Sequence, residues 1–210
     1  MKSDEFLSLV RRRRSVRKYR PDPVEKEKIL RCLEAARLAP SACNAQPWTF
    51  IVVDDPQLKN ALADMTNDPW LPLNRFARQA PVHVVVVVEK SNWTSRLGAA
   101  VKKRDFPWID LGIAAEHFCL QATAEGLGTC MLGWFHEKQV RALLGIPEKS
   151  RVGLIITLGY PADPLDQPKV RKEVEEIVFW NTYAGENNRP DACSIDGAVS
   201  GESNPVNDGK

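Results

Sequence analysis

Apolar residues recur at helical spacing in five stretches of the chain, and residues that start or stop helices bound each stretch. The first contains Phe6 and Val10 and ends in a run of arginines near Arg14. The second has Asp22 as its predicted N-cap and stops before Pro40. The other three predicted helices cover residues 55–65, 107–126 and 137–144.

Three shorter stretches have the pattern of β-strands, at Trp48–Asp55, Pro81–Glu89 and Arg151–Pro161. The five consecutive valines Val84–Val88 show no polar alternation, which indicates a central strand that is buried on both faces. The sequence EEIVFWN, residues 175–181, has the composition of a possible fourth strand. This order of elements predicts an α+β or mixed α/β fold with helices packed against a small sheet.

The last 26 residues, 185–210, are rich in Gly, Asn, Ser, Asp and Pro and contain almost no large apolar side chain. Such a segment cannot bury enough surface to offset its ordering entropy, so we predict a disordered tail. Residues 1–184 are predicted to form the single folded domain. Residues 90–106 are polar and basic without a clear period, which predicts a loop or a weak helix.

Composition restricts the class of protein further. The chain has 29 Lys and Arg against 27 Asp and Glu, a net charge of +2, which argues against a protein that coats nucleic acid. Its five cysteines form no CxxC pair, which argues against a zinc site or a disulfide framework and fits a reducing compartment. No signal peptide and no membrane-spanning run are evident, so we expect a soluble cytoplasmic protein.

The stretch RRRRSVRKYRP, Arg11–Pro21, therefore needs a local explanation, because seven of its eleven residues are basic. If the helix ends near Arg14, the alternating Arg13, Ser15 and Arg17 point to the same side of an extended segment. Two guanidiniums and a hydroxyl on one side suit a phosphate. The same pattern also fits a solvated helix end or a basic arm for nucleic acid.

Three further stretches carry candidate chemistry, each with an ordinary alternative. The loop PSACNAQPW places Ser41, Asn44 and Gln46 where they can bind the edge of a heterocycle, but it also has normal turn composition. The stretch GLGTCMLGWF has glycines that let backbone amides approach a ligand, and it contains no Walker or Rossmann fingerprint. In PKVRKEVEE, Lys169 and Arg171 form a second basic pair that is equally typical of a surface.

Taken together and in this order, the stretches RRSVRKY, APSACNAQPWTFIVV, GLGTCMLGWF and PKVRKEVEEI resemble the FMN-dependent nitroreductase family. The resemblance extends from about Phe6 to Phe179. It implies an α+β sandwich with helices around a small central mixed or antiparallel sheet. It also implies an obligate homodimer with FMN at the interface, in which the C-terminal EEIVFW segment is exchanged between subunits.

The resemblance implies a role for each matching residue. The flavin phosphate, ribityl chain and ring edge would be held by Arg13, Arg14, Ser15 and Arg17, with Lys169 and Arg171 closing on the phosphate. The flavin would also be approached by Ser41, Asn44 and Gln46, with Ser41 and Asn44 coming from the partner subunit. Leu132 and Gly133 would lie over the ring, and a further contact falls at Asn74 or Arg75. Trp134 stands where many family members have a small residue, which predicts a narrower or differently lined pocket.

The implied activity is electron transfer from NADH or NADPH through FMN to a small electron-poor acceptor, such as a nitroaromatic or a quinone, by a ping-pong mechanism. No metal, membrane or nucleic acid is implied. Two other hypotheses stay open from the residues alone. One is a nucleic-acid-binding or regulatory protein that uses residues 11–20, and the other is a flavin-binding protein on the same scaffold with a different reaction.

Overall fold

The structure, a computed structural model, describes residues 3–67, 73–89, 105–165 and 168–183. The chain divides into two compact units, Met1–Gln167 and Pro168–Lys210, and each is described by itself. The predicted disordered tail and most of the predicted loop at 90–106 lie outside the described residues.

The first unit contains a four-stranded sheet and five of the six α-helices found among the described residues. The strands are β1 (Trp48–Val53), β2 (Val82–Val88), β3 (Gly128–Leu132) and β4 (Arg151–Gly159). The helices are α1 (Ser3–Arg12), α2 (Lys26–Arg37), α3 (Pro56–Asp64), α4 (Phe106–Ala124) and α5 (Glu137–Leu144), with short 3₁₀ turns at Ala42–Asn44 and Arg75–Gln79. The strand order is β1-β2-β4-β3, and every neighbouring pair is antiparallel.

Strand β2 lies between β1 and β4 and is buried on both faces, which confirms the prediction from its valines. Val84 and Val86 pack in a cluster with Phe118 of α4. Val85 and Val87 face the opposite cluster, which includes Leu62 of α3. The fold is therefore an α+β sandwich in which helices cover both faces of one sheet.

Local signals set several helix ends as predicted. The carboxylate of Asp55 accepts hydrogen bonds from the backbone N–H groups of Gln57 and Leu58, at 3.0 and 2.8 Å, and so caps α3. Helix α5 ends at Gly145, whose φ of 66° lies in the left-handed region that glycine adopts easily. No helix in the described part of the chain is long and apolar enough to cross a membrane.

The predicted start of α2 is wrong. The helix begins at Lys26, three residues after Pro23, and its N-cap is Glu25 in an extended conformation with φ −64° and ψ 132°. The chain from Arg20 to Val24 has no helical structure, because the backbone N–H of Arg20 donates at 2.9 Å to the carbonyl of Tyr160, the residue directly after β4. A tertiary contact therefore overrides the local capping signal.

Two strand assignments are also corrected. The GLGTCMLGWF stretch contains β3, which pairs with β4 from Gly128↔Gly159 to Leu132↔Ile155 and was not predicted. It is short and mostly buried, so it shows no alternating pattern.

The predicted fourth strand in residues 175–181 is wrong, because Val174–Ile177 forms a short helix, α6. The side chains and backbones of Glu173 and Glu176 form a capping box that favours this helical turn.

Candidate functional site

The basic segment leaves α1 at Arg12 and continues extended beside β3. Ser15 forms a parallel bridge with Thr129, and the Val16 N–H donates to the Thr129 carbonyl at 2.8 Å. The Val16 side chain is 7% exposed, whereas Ser15 and Arg17 on either side are exposed. The predicted extended geometry is therefore correct, and Ser15 and Arg17 lie on the solvent side of the segment.

A glycine in β3 makes this close approach possible. A Cβ atom at Gly128 would lie 2.6 Å from Cγ2 of Val16, far inside van der Waals contact. Any larger residue at this position would push the basic segment away from the sheet. Gly128 therefore serves the packing of the segment rather than direct contact with a ligand.

Tyr19 fixes the same segment to the sheet. Its hydroxyl donates to the Val16 carbonyl at 2.9 Å and lies 2.7 Å from Oγ1 of Thr157 in β4. Its side chain is 7% exposed, and burial raises the pKa of the phenol, so the hydroxyl stays protonated as a donor. The Tyr19 N–H also donates to Oε1 of Gln79 at 3.3 Å. These bonds fix the backbone between Ser15 and Arg17 against the core.

An open cleft of about 190 Å³ runs along the outside of this segment. Its walls come from residues 14–18 and 163–165. The Lys18 ammonium lies 3.3 Å from Asp163 at one side, and the Arg17 guanidinium lies 5.9 Å from the ring centre of Phe76. The structure thus brings Arg14, Ser15 and Arg17 together around one space, and Arg13 is not among the residues that line it. Binding of a flavin phosphate there stays a prediction.

Arg13 is adjacent to this cleft but has an acidic neighbour. Its Nε lies 3.3 Å from Oε1 of Glu116 in α4, and its side chain is only 18% exposed. A guanidinium has five N–H donors, so this ion pair leaves donors for a second partner. Arg13 therefore combines a structural contact to α4 with a position next to Arg14 and Ser15.

The loop between α2 and β1 holds the second group of candidates, and its backbone is strained. Asn44 and Gln46 have positive φ angles of 52° and 46°, and Cys43 between Ser41 and Asn44 has 53°. The Gln46 N–H donates to the Ser41 hydroxyl at 3.0 Å, and the Gln46 amide donates to Oδ1 of Asn44 at 3.1 Å. Left-handed non-glycine residues cost about 1–3 kcal/mol each and are concentrated at functional sites.

A buried carboxylate holds this loop in place. Asp110 of α4 is 4% exposed, and both of its oxygens lie 3.2 Å from the backbone N–H of Ala42. Ala42 is the residue that immediately follows Ser41, at the start of the 3₁₀ turn. The contact therefore ties the strained loop to the long central helix.

The third group of predicted flavin-contacting residues lies at and near the end of β3. Leu132 is 4% exposed, while Gly133 is exposed and has no atom within 4 Å of the position of a Cβ. The amide of Asn74 donates to the carbonyls of Trp134 and Thr66, at 3.2 and 3.0 Å. Asn74 thus positions the chain that follows Gly133, and its predicted contact with flavin stays a prediction. The Trp134 side chain is 54% exposed.

Lys169 and Arg171 belong to the second unit. Arg171 is exposed, and its Nη1 donates to the carbonyl of the adjacent Val170 at 2.7 Å. Lys169 is half-buried. Their convergence with the first basic segment on one phosphate stays a prediction.

The histidines and cysteines of the first unit do not form a catalytic set. His83 is fully buried in β2, and burial lowers the pKa of its imidazole to about 4. Cys130 is 3% exposed, and burial raises the pKa of its thiol although Arg17 and Ser15 lie near it. No group of His, Cys, Asp and Glu side chains suited to a metal ion occurs within the described ranges.

Three residues that shape the site were missed from the sequence. Tyr19 lies in the stretch RRRRSVRKYRP and Gly128 lies in GLGTCMLGWF, but the residues that they contact are distant in sequence or in another of these stretches. Asp110 had a usable signal, because a carboxylate on the buried side of a broadly apolar helix needs a specific partner.

Comparisons with known proteins identify a family for the chain. A family model described as "Nitroreductase family" matches residues 10–160. This chain is 32% identical over 190 residues to a protein named NADH dehydrogenase from Thermus thermophilus, covering 80% of this chain and 92% of that protein. It is 28% identical over 198 residues to an iodotyrosine deiodinase from Thermotoga neapolitana, with 85% and 98% covered.

Solved structures show the same similarity. A protein from Clostridium difficile described as an FMN-dependent nitroreductase superimposes with a TM-score of 0.67 at 30% identity. The match covers 84% of this chain and 99% of that protein. The matched region of each relative therefore extends over nearly the whole of that protein.

Proposed function

The chain belongs to the nitroreductase family, and from this premise we propose that it is an FMN-dependent oxidoreductase that uses NADH or NADPH. The acceptor would be a small electron-poor molecule such as a nitroaromatic or a quinone. Bound FMN would supply the redox chemistry that connects the nicotinamide to the acceptor. The proposed kinetic order is ping-pong, with the oxidised nicotinamide leaving before the acceptor binds.

One observation carries this proposal: the extended segment Arg14–Lys18 presents Ser15 and Arg17 into a cleft while Val16 is fixed in the core. Hydroxyl and guanidinium donors in a fixed arrangement suit the phosphate and the polar edge of FMN. Gly133, open at the end of β3, offers a backbone that a flat ring can approach. The residues present therefore fit the group.

Each part of the site then has a role in binding or orientation. Arg13, Arg14 and Ser15 would hold the phosphate and ribityl chain, and Arg17 would place positive charge beside the ring edge. The exposed amides of Asn44 and Gln46 would donate to or accept from the ring. These side chains bind and orient the cofactor, and no acid or base among them is needed for hydride transfer.

We also propose that a second copy of the chain completes the site. The cleft of about 190 Å³ is smaller than the roughly 300–1,000 Å³ of most sites for ligands of this size. Large apolar side chains are exposed on α1 and at the start of α4, with Phe6, Leu7, Trp108 and Ile109 each 39–55% exposed. A surface of this kind is typical of an interface. Sedimentation of the FMN-loaded protein should give a dimer, and a stable monomer with full FMN content would contradict a shared site.

The alternative of a nucleic-acid arm is disfavoured by the charges around the basic segment. Arg13, Lys18 and Arg20 lie 2.7–3.3 Å from the carboxylates of Glu116, Asp163 and Asp22. Much of the positive charge is therefore compensated locally, which weakens attraction to a polyanion.

The function is tested on the purified full chain. A visible spectrum should show a bound flavin, and NADH or NADPH should bleach it anaerobically in a stopped-flow experiment. Adding a nitroaromatic or a quinone should then restore the oxidised spectrum. A colourless protein that does not bind added FMN would overturn the proposal, and bleaching without reoxidation by either acceptor would overturn the acceptor class.

A further inference from the structure

A second cleft is lined by residues at and after the end of the basic segment, residues that follow β1, and residues at and just before the start of β2. It has a volume of about 570 Å³, well above that of the cleft beside Ser15. Four prolines form much of its wall, Pro21, Pro23, Pro56 and Pro81. Because proline rings have few accessible conformations, this wall is rigid and apolar before any ligand arrives.

The ammonium of Lys59 lies in this cleft and has no acidic partner in the described part of the chain. The ammonium of Lys59 donates to the carbonyl of Arg78 at 2.8 Å and to Oδ1 of Asn60 at 3.0 Å. Among the described residues it forms no ion pair, and one of its three N–H donors has no partner there. Asp54 also lines the cleft, but no ion pair between it and Lys59 is found among the described residues.

The surroundings of Lys59 make its positive charge costly. Its side chain is half-buried, and the neighbouring Arg78 guanidinium, which also lines the cleft, is paired with Asp64. Burial lowers the pKa of the Lys59 ammonium, and the charge of Arg78 lowers it further. An anion bound beside Lys59 would relieve both effects, since it supplies the missing acceptor and the missing negative charge.

We propose that this cleft is a binding site for a small carboxylic acid with an apolar body. The carboxylate would pair with Lys59 and Arg78, and the hydrocarbon part would lie against the proline wall. A cleft of this volume, mostly apolar with a few convergent polar groups, has the character of a small-molecule site. Gln79, which also lines the cleft, accepts the N–H of Tyr19, so this site is linked by one hydrogen bond to the segment proposed to hold FMN.

The test uses the full chain as purified and the probe cyclohexanecarboxylate. Val24 and Val82 line the cleft, so their ¹³C-labelled methyl groups report on it directly. The methyl signals of both valines should shift saturably with the acid, whereas cyclohexanemethanol, which has the same ring but no charge, should bind at least about tenfold more weakly. Formate, a carboxylate without the apolar body, should also bind at least about tenfold more weakly.

Variants assign the binding to Lys59. Lys59→Met should weaken binding of the acid about tenfold or more, and Lys59→Arg, which keeps the charge, should bind within about threefold of the parent. Lys138→Met removes an exposed lysine of α5 that does not line the cleft, and it should leave binding unchanged. The methyl spectrum of each variant verifies its fold.

Several outcomes overturn the proposal. Methyl signals that do not saturate up to about 50 mM acid would show that no site exists. If Lys59→Met binds the acid as well as the parent does, or if cyclohexanemethanol binds as well as the acid, Lys59 does not select a carboxylate. If formate binds as well as the acid, the apolar part of the ligand does not contribute to binding. Because the readout is at Val24 and Val82, the result is independent of whether the protein proves to be a nitroreductase.

Discussion

The hydroxyl of Tyr19 donates a hydrogen bond to the carbonyl of Val16 at 2.9 Å, and this bond sets the curvature of the segment that carries Ser15 and Arg17. The same hydroxyl lies 2.7 Å from Oγ1 of Thr157 in β4, and with its own hydrogen directed at Val16 it accepts from that hydroxyl. These two bonds connect β4 to the candidate cofactor segment.

Tyr19→Phe should loosen this segment. Loss of a buried hydroxyl with two partners should lower the free energy of unfolding by roughly 1–2 kcal/mol and weaken FMN binding several-fold. Urea denaturation and fluorescence titration with FMN measure the two effects. Tyr183→Phe is the matched control, because Tyr183 is 90% exposed and should change neither quantity. Unchanged FMN affinity in Tyr19→Phe would show that the segment does not depend on this anchor.

Gly128→Ala should displace the same segment by a different route. Its methyl group would lie 2.6 Å from Cγ2 of Val16, so we expect a loss of roughly 1–3 kcal/mol in unfolding free energy and a lower FMN content. Adding Val16→Ala should restore part of both, since it removes Cγ1 and Cγ2 of Val16, two of the three atoms nearest the new methyl group. Gly112→Ala in α4, where no atom lies within 4 Å of the new Cβ, should be neutral or stabilising. If the double variant regains neither unfolding free energy nor FMN content, the clash is not with the methyl groups of Val16.

Asp110→Ala should release the strained loop at Ser41–Gln46. Removing the acceptor of the Ala42 N–H should cost roughly 1–3 kcal/mol and increase hydrogen exchange at the Ala42 and Gln46 amides. Asp110→Asn keeps an oxygen acceptor and should have a smaller effect. Asp105→Ala, at an exposed position just before α4, is the control. If exchange at Ala42 stays slow in Asp110→Ala, the loop is held by its internal bonds alone.

His83 should make stability depend on pH between about 4 and 6.5. In the folded protein, burial holds the pKa of His83 at about 4, with a further lowering by Lys59, against an ordinary value near 6.5. Neither imidazole nitrogen has a well-aligned hydrogen-bond partner among the described residues, although the backbone of Ala77 lies close by. Within this window the unfolded chain binds more protons, so the free energy of unfolding rises with pH and is fully regained above about 6.5.

The contribution should be on the order of 2–3 kcal/mol across the window. Urea denaturation at intervals from pH 4.5 to 7 measures it. In His83→Val, which matches the neighbouring valines, the part of the slope due to this residue should disappear even if overall stability changes. An identical slope in both proteins would assign the pH dependence to other groups.

Arg13→Ala and Arg171→Ala should each weaken FMN binding about ten- to a hundred-fold, while Arg11→Ala, exposed in the last turn of α1, should not. Riboflavin lacks the phosphate, so its binding should change less in both variants. Glu116→Gln separates the roles of Arg13, because it weakens the ion pair and keeps the guanidinium. If Glu116→Gln reproduces the loss seen in Arg13→Ala, Arg13 acts through α4 and not on the phosphate.

Elements with signals inside one or two turns of chain were predictable from the sequence. The valines of β2 require burial on both faces, Asp55 and Pro56 start α3, and Gly145 ends α5. The extended course of the basic segment also followed from alternation and from Pro21. In these cases the side chain and the backbone it controls are neighbours, so the information is local.

The tertiary structure alone decided the features whose partners are far apart in sequence. Strand β3 has no alternating pattern of its own and forms because β4 pairs with it. Gly128 leaves room for the Val16 side chain to pack closely against this strand. Tyr19 acts on Thr157, 138 positions away, and Asp110 acts on Ala42, 68 positions away. The energy of such contacts depends on two segments meeting in space, and no pattern within either segment records that meeting.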